Sequence, residues 1–327
     1  MTTVTNHSRY LSSHLDTDRS TYPVLGRRRL GNTGLVVGEI GVGTSALEAS
    51  GFASVPDEEL RHTLGLALDM QAGFFDVSAD AGDGRILRQL GFAMQGRRHQ
   101  AQVCLRVAGD ADALKAGTER ALRQLASAHV DVLLWDRPGY QNLKAQDHGW
   151  QALAGLKRDG KAVCVGASLR LPEELRTAVE QTPCEVLQFP LNVFDQANAA
   201  VLDSAAAKGV GLVAVQPLCG GWLSGRFGAG HLFMDARRRW SRGDRARRAA
   251  LQPEFEALVA QSGTTAAQAA LQFVLSYPQV ACAVAGVSAW QQVVGNVDAA
   301  SERLAPSAVT ALRDLWERRI RDRPLEP

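Results

Sequence analysis

The sequence has no Cys-x-x-Cys pair: its five cysteines, Cys104, Cys164, Cys184, Cys219 and Cys282, are scattered and odd in number. That pattern speaks against a disulfide framework or a metal-ligand array, and no metal site is expected. Four of the five lie in or beside apolar runs, which marks them as buried free thiols. Long hydrophobic stretches are missing too. No segment approaches the ~18 apolar residues of a membrane span, and the opening MTTVTNHSRYLSSHLDTDRSTYPV lacks the apolar core of a secretion signal. The expectation is a cytoplasmic protein with no membrane partner.

Nor is there an excess of one charge. Lys and Arg number 36 against 34 Asp and Glu, a net charge of +2. Nucleic-acid binders normally carry a broad basic face, so a nucleic-acid partner is not expected. The one concentrated basic run, DARRRWSRGDRARR at 235 to 248, reads either as a solvated face or as a binder of an anionic ligand such as a cofactor phosphate.

What is present is enough apolar material for a large core: 46% of residues are hydrophobic and 21% charged, in 327 residues. Residues 1–24 are polar and aperiodic and read as a loose tail before one domain, 25–327. That domain opens with RRRLGNTGLVVGEIGVGT, two apolar runs around Asn32, Thr33 and Gly34. This predicts a β-hairpin leading into a strand that ends near Gly43.

Short apolar runs follow at 73–77, 102–107, 130–135, 162–168, 185–189, 211–215 and 281–286. Each reads as a strand buried on both faces. Helical patterns lie between them, at 57–70, 85–95, 111–127, 142–158, 172–181 and 196–208, and as a pair over 253–276. Counting the first strand, eight strands alternate with helices, which predicts an α/β fold of the (β/α)8 TIM-barrel type. The hairpin would plug its lower end, and APSAVTALRDLWERRI adds a C-terminal helix outside the repeat. The six tryptophans suit packing inside as well as between subunits, leaving oligomeric state open.

A barrel keeps its chemistry at the C-terminal ends of its strands, which selects Thr44, Asp76, Arg106, Asp136, Ser168, Gln188 and the loop after Val215. In sequence order these stretches resemble the aldo-keto reductase family: RRRLGNTGLVVGEIGVGT its hairpin and first strand, FFDVSADAGDGR its second strand and glycine turn, and VGAS the end of its fifth strand. VLQFPLNVFDQ resembles strand six and beyond, PLCGGWLSGRF the phosphate loop, and VAGVSAWQQVVGNVDAA the late cofactor segment. The similarity runs from about Arg27 to Leu315.

The resemblance implies hydride transfer between NADP(H), with NAD(H) as the alternative, and a small carbonyl compound. It also implies a Tyr proton donor, a Lys that lowers the phenol's pKa, an Asp that holds the Lys and a His that orients the carbonyl. Position by position, the Asp is kept as Asp76. The Tyr position is Ala81, the Lys position Arg106 and the His position Asp136, so three of the four roles have changed.

Arg106 cannot release a proton near neutral pH, but its fork can donate to an oxyanion. Set between Asp76 and Asp136, it leaves two carboxylates sharing one cation. One of them, Asp136 in preference, would then titrate high and serve as acid or base, unless the three are a plain salt-bridge triad. Tyr140 is either a displaced phenol or a surface tyrosine.

For the cofactor, the resemblance points to Pro217, Leu218, Gly221, Leu223, Gly225 and Arg226 at the phosphates. Ser288, Gln292 and Asn296, spaced along one helical face, fall at the adenosine half. Ser168 and Gln188 match the nicotinamide carboxamide binders. The usual Asn between those two is Leu169, and Val215 takes the place of the stacking aromatic. The substrate pocket falls to loops around 45–56, 136–147 and 219–245.

Three readings follow. The first is an atypical reductase. The second is a non-redox isomerase, lyase or cyclase working through Asp136 and Arg106. The third is a homologue that holds the cofactor or a partner and turns nothing over.

Overall fold

Alternation of apolar runs with amphipathic segments forces strands to be shared between two covering layers, and a parallel sheet closed on itself satisfies all of them at once. The computed structural model describes residues 25–47, 55–81, 83–228, 231, 233 and 236–325; the expected tail, 1–24, lies outside the described residues. Among those residues no helix is long and apolar enough to cross a membrane.

The hairpin pairs β1 (Arg27–Arg29) with β2 (Val36–Gly38), antiparallel. Eight strands then follow: β3 (Ile40–Gly43), β4 (Phe74–Ser78), β5 (Gln102–Val107), β6 (Val130–Asp136), β7 (Ala162–Ser168), β8 (Val186–Pro190), β9 (Gly211–Val215) and β10 (Cys282–Gly286). All pair in parallel, and β10 closes the ring against β3. Around them lie α1 (Asp57–Asp69), α2 (Arg85–Ala93), α3 (Ala111–Leu125), α4 (His148–Arg158), α5 (Pro172–Gln181), α6 (Leu202–Ala207), α7 (Arg242–Val259), α8 (Ala266–Leu275), α9 (Trp290–Ala299) and α10 (Pro306–Arg319). This is a (β/α)8 barrel with an N-terminal hairpin and a C-terminal helix outside the repeat.

Alternate strand residues point inward and divide the interior into two tiers. The lower tier is apolar, with Phe74, Cys104, Val132, Leu134, Cys164, Val186, Val213, Cys282 and Val284 packed over Leu30, Leu35 and Val37 of the hairpin. Gly166 lies in this ring because no side chain fits there: a Cβ would sit 1.8 Å from the Val186 carbonyl oxygen. The upper tier, at the C-terminal strand ends, is polar.

The hairpin is bolted down by charge. Arg28 Nε donates to Glu39 at 2.7 Å, and its Nη atoms donate to the carbonyls of Leu275, Tyr277 and Val280, which tie off the end of α8. Arg303 closes on the same buried Glu39 at 2.6 Å.

All five cysteines are free and buried. Burial pushes their pKa values up, Cys219 to about 11 and Cys164 and Cys184 to about 12. Five tryptophans are buried within the chain, and Trp290 is half-buried.

Several element boundaries differ from expectation. The helix expected from 142 begins only at His148, where the Asp147 carboxylate accepts from the Gly149 N–H at 2.8 Å, and Tyr140–Asn142 is a single 3-10 turn. The pattern at 196–208 divides into a 3-10 segment, Ala197–Val201, followed by α6. α7 starts eleven residues before 253, at Arg242, and carries Pro253 in its interior. A proline is best tolerated in a first turn, so 253 reads as a start from sequence alone. The basic run at 235–248 is not a solvated face throughout. Arg248 is 3% exposed, paired with Asp244 at 2.6 Å and stacked over Trp240.

Candidate active site

Strand ends decide what meets at the barrel mouth. Gly43 pairs with Asp76, Ser78 with Arg106, Asp136 with Ser168 and Ser168 with Gln188, all at or near the C-terminal ends of their strands. The Asp76 carboxylate is buried, and its Oδ1 accepts from Arg106 Nε at 2.8 Å and from Gln188 Nε2 at 3.0 Å. A carboxylate only accepts, which fixes the Gln188 amide with its nitrogen toward Asp76; its oxygen then accepts from Ser168 Oγ at 2.9 Å. Thr44 Oγ1 donates to the Asp76 carbonyl at 2.9 Å and pins the end of β4 to the turn after β3.

The second carboxylate is held differently. Arg106 Nη1 lies 3.5 Å from Asp136 Oδ2, and Arg137 Nη2 lies 3.7 Å from the same oxygen. Arg106 thus stands between Asp76 and Asp136, tight to the first and loose to the second. The Asp76 charge beside it raises the guanidinium pKa further above its already high value, so it remains a fixed cation that donates hydrogen bonds and yields no proton.

Ala81 occupies the turn after β4, its N–H donating to the Ser78 carbonyl at 3.4 Å, and it brings no functional group. Tyr140 is a surface tyrosine. It is 56% exposed, and its hydroxyl lies 3.2 Å from Thr177 Oγ1 on α5.

The loop after β9 turns on left-handed residues: Gln216, Cys219, Gly220, Gly221 and Gly225 all have positive φ. Pro217 and Leu223 are buried as its anchors, and the Leu218 carbonyl accepts from the N–H groups of Gly221 and Leu223. Gly220 and Gly221 admit neighbouring rings: a Cβ on Gly220 would lie 2.5 Å from Trp240, and one on Gly221 2.7 Å from Phe227. Arg237 donates to the Gly220 carbonyl at 3.0 Å and stacks over Phe227 and Phe233. Gly225 and Arg226 are the exposed end of the loop.

Beyond β10, Gln292 folds back to accept from the Ser288 N–H at 2.7 Å. Ser288 precedes α9 and does not share its face; Gln292 and Asn296 do.

These residues fit a dinucleotide unevenly. At the phosphate end that the resemblance implies, exposed Gly225 and Arg226 offer room and charge. Ser168 is half-buried while Gln188 is 1% exposed, so at the reactive end the serine is the member of that pair within a ligand's reach.

Sequence reasoning assigned Asp76 to catalysis and Gln188 to the cofactor and missed the bond that makes them one unit. It also passed over Arg137, whose signal was its place directly after Asp136 at a strand end.

A family model described as "Aldo/keto reductase family" matches residues 39–317. Among characterised proteins, the chain is 26% identical over 311 residues to "Aldo-keto reductase str7" of Strobilurus tenacellus, covering 89% of this chain and 91% of that protein. It is also 26% identical over 295 residues to the L-galactose dehydrogenase of Arabidopsis thaliana, covering 84% and 88%. Among solved structures, the holo form of aldo-keto reductase AKR11C1 from Bacillus halodurans superposes with a TM-score of 0.74 at 20% identity, covering 89% of this chain and 96% of that one. The glycerol dehydrogenase AKR11B4 from Gluconobacter oxydans gives 0.73 at 22%, covering 92% and 98%.

Proposed function

The chain belongs to the aldo/keto reductase family, and from that premise we propose that it is a cytoplasmic NADP(H)-dependent reductase of a small carbonyl compound that works without a phenolic acid. The observation that carries this reading is the Asp76–Arg106 pair: at 2.8 Å the carboxylate grips the Nε edge of the guanidinium and leaves its Nη edge at the mouth.

Gly225, Arg226, Ser288 and Gln292 would hold the phosphate and adenosine parts and Ser168 the carboxamide, while Asn296 is 7% exposed and lies out of a ligand's reach. When bound, the dinucleotide supplies the hydride. Arg106 donates to the carbonyl oxygen as negative charge builds on it, in a site already oriented for that charge, an effect worth ~3–4 kcal/mol per donor elsewhere. Asp136, with 11% of its side chain exposed, relays a solvent proton to the resulting alkoxide. A positioned acid contributes ~10²–10⁴-fold, so turnover should be slow beside a phenol-bearing relative.

A second reading has one observation in its favour. Asp136 meets its two guanidiniums only at 3.5 and 3.7 Å, and a loosely held carboxylate suits abstraction of a proton next to a carbonyl, with Arg106 stabilising the enolate.

The deciding experiment has two steps: mass spectrometry of whatever dinucleotide the denatured protein releases, then NADPH consumption on a carbonyl panel. Consumption supports the reductase. Dinucleotide binding with solvent deuterium entering a carbonyl ligand, and no consumption, replaces it with the second reading. A stable protein partner with no small ligand would leave a binding homologue.

A further inference from the structure

Arg137 is spent on nothing that its backbone strain would justify. It has φ +51°, left-handed, and directly precedes Pro138, where the chain favours extended backbone. Its N–H donates to the Ser168 carbonyl at 3.0 Å, which locks the turn at the strand end. Strain of this kind costs roughly 1–3 kcal/mol and collects where a side chain has to be aimed.

The side chain is 62% exposed, and its ion pair is the 3.7 Å approach to Asp136. A guanidinium carries five N–H donors, so most of this one's capacity is open to solvent beside Asp136. Arg106 reaches the same Asp136 oxygen at 3.5 Å. Both distances exceed the ~2.7–2.9 Å of a well-made charge-assisted bond. Two guanidiniums therefore converge on one oxygen that satisfies neither.

We infer that Arg137, with Arg106 beside it, forms an oxyanion subsite that selects carbonyl substrates bearing a carboxylate or a phosphate. The inference rests on the reductase reading for its carbonyl, though not for its anion. Asp76 holds the inner edge of Arg106 and Asp136 lies between the two cations, so the four charges sum to zero. Selectivity then comes from forked hydrogen-bond geometry, which both anions match, and not from a bare field. An anion seated on the open side of Arg137 leaves its carbonyl oxygen toward Arg106.

The test uses the full chain and two matched pairs, pyruvate against pyruvamide and dihydroxyacetone phosphate against dihydroxyacetone. Binding is measured by calorimetry with and without NADP⁺, on wild type, Arg137→Asn and Arg137→Lys. Asn tolerates left-handed backbone and Lys keeps the charge, and melting curves confirm that both variants fold. At least one anion should bind tenfold or more tighter than its neutral partner. Arg137→Asn should erase that margin and Arg137→Lys keep part of it; the pair with the larger margin names carboxylate or phosphate.

Equal affinity within both pairs, a margin that survives Arg137→Asn, or no binding of either anion overturns the subsite. NADPH consumption reports separately. Discrimination without consumption sinks the reductase reading alone, and consumption without discrimination sinks the subsite alone.

Discussion

The side-chain amide of Gln188 reaches across the barrel from β8 to β4 and donates to the Asp76 carboxylate at 3.0 Å. The two strands stand opposite each other in the closed ring, so this bond makes one hydrogen-bonded unit of Ser168, Gln188, Asp76 and Arg106. Substituting a member should cost according to what it leaves unpaired.

Asp76→Ala leaves a guanidinium that is only 17% exposed with Asp136 alone, at 3.5 Å, and breaking a buried pair costs about 3–5 kcal/mol. Gln188→Leu removes one donor from a carboxylate that keeps its cation, which costs about 1–2 kcal/mol. Urea midpoints should fall in the order wild type, Gln188→Leu, Asp76→Ala. Coincident midpoints would show that the network contributes no stability.

On the proposed reading, Ala81 and Arg106 take the positions of the phenol and the ammonium, which makes reversion informative. The double substitution Ala81→Tyr with Arg106→Lys should raise NADPH-dependent carbonyl reduction on the order of 10²-fold, the lower end of what a positioned acid supplies. Initial rates on the best carbonyl of a panel measure it. Unchanged rates would mean that something other than the missing donor limits the chemistry.

The barrel was legible because eight strands buried on both faces leave an unmistakable alternation, and because strand ends announce themselves as the last apolar residue before a polar turn. Asp76, Arg106, Asp136, Ser168 and Gln188 were all reachable that way. What joins them was not. Whether Gln188 turns toward Asp76 depends on which strands lie opposite, a property of closure that no local spacing encodes. The start of α7 was hidden for a related reason: a buried Arg248 paired with Asp244 looks, in sequence, like one more solvated charge.

Thiol chemistry follows from burial. With Cys219 raised to about 11 and Cys164 and Cys184 to about 12, the native protein should show almost no reaction with a disulfide reagent at pH 8. Five thiols should react after denaturation, as many as the sequence contains. Fast labelling of the native form would show that the buried tier opens.

The same shifts set an alkaline limit. Above roughly pH 8.5–9 the unfolded chain loses its thiol protons while the folded chain keeps them, so the unfolded state binds fewer protons and stability falls as pH rises. Each such thiol removes up to about 1.4 kcal/mol per pH unit until its folded pKa is reached, which for Cys219 is about 11. Denaturation midpoints between pH 8 and 11 should decline, and Cys219→Ala should make the decline shallower. An identical slope in the two proteins would remove Cys219 from the account.

Glu39 holds two guanidiniums beneath the barrel, Arg28 at 2.7 Å and Arg303 at 2.6 Å, and is itself 4% exposed. Glu39→Ala should cost about 3 kcal/mol, because it leaves Arg28 partly buried without its counter-charge. Thermal or urea unfolding reads the loss. A variant as stable as wild type would mean that the three carbonyl acceptors alone suffice for Arg28.

That arginine has a consequence for biosynthesis. Its grip on the Val280 carbonyl spans 252 positions, from the hairpin to the turn just before the last barrel strand. Ribosomes add only ~5–20 residues each second, so the lower plug waits many seconds before its anchor exists. Through that interval the hairpin's apolar face has no permanent cover, and nascent chains of this protein should depend on holdase chaperones until translation is nearly finished.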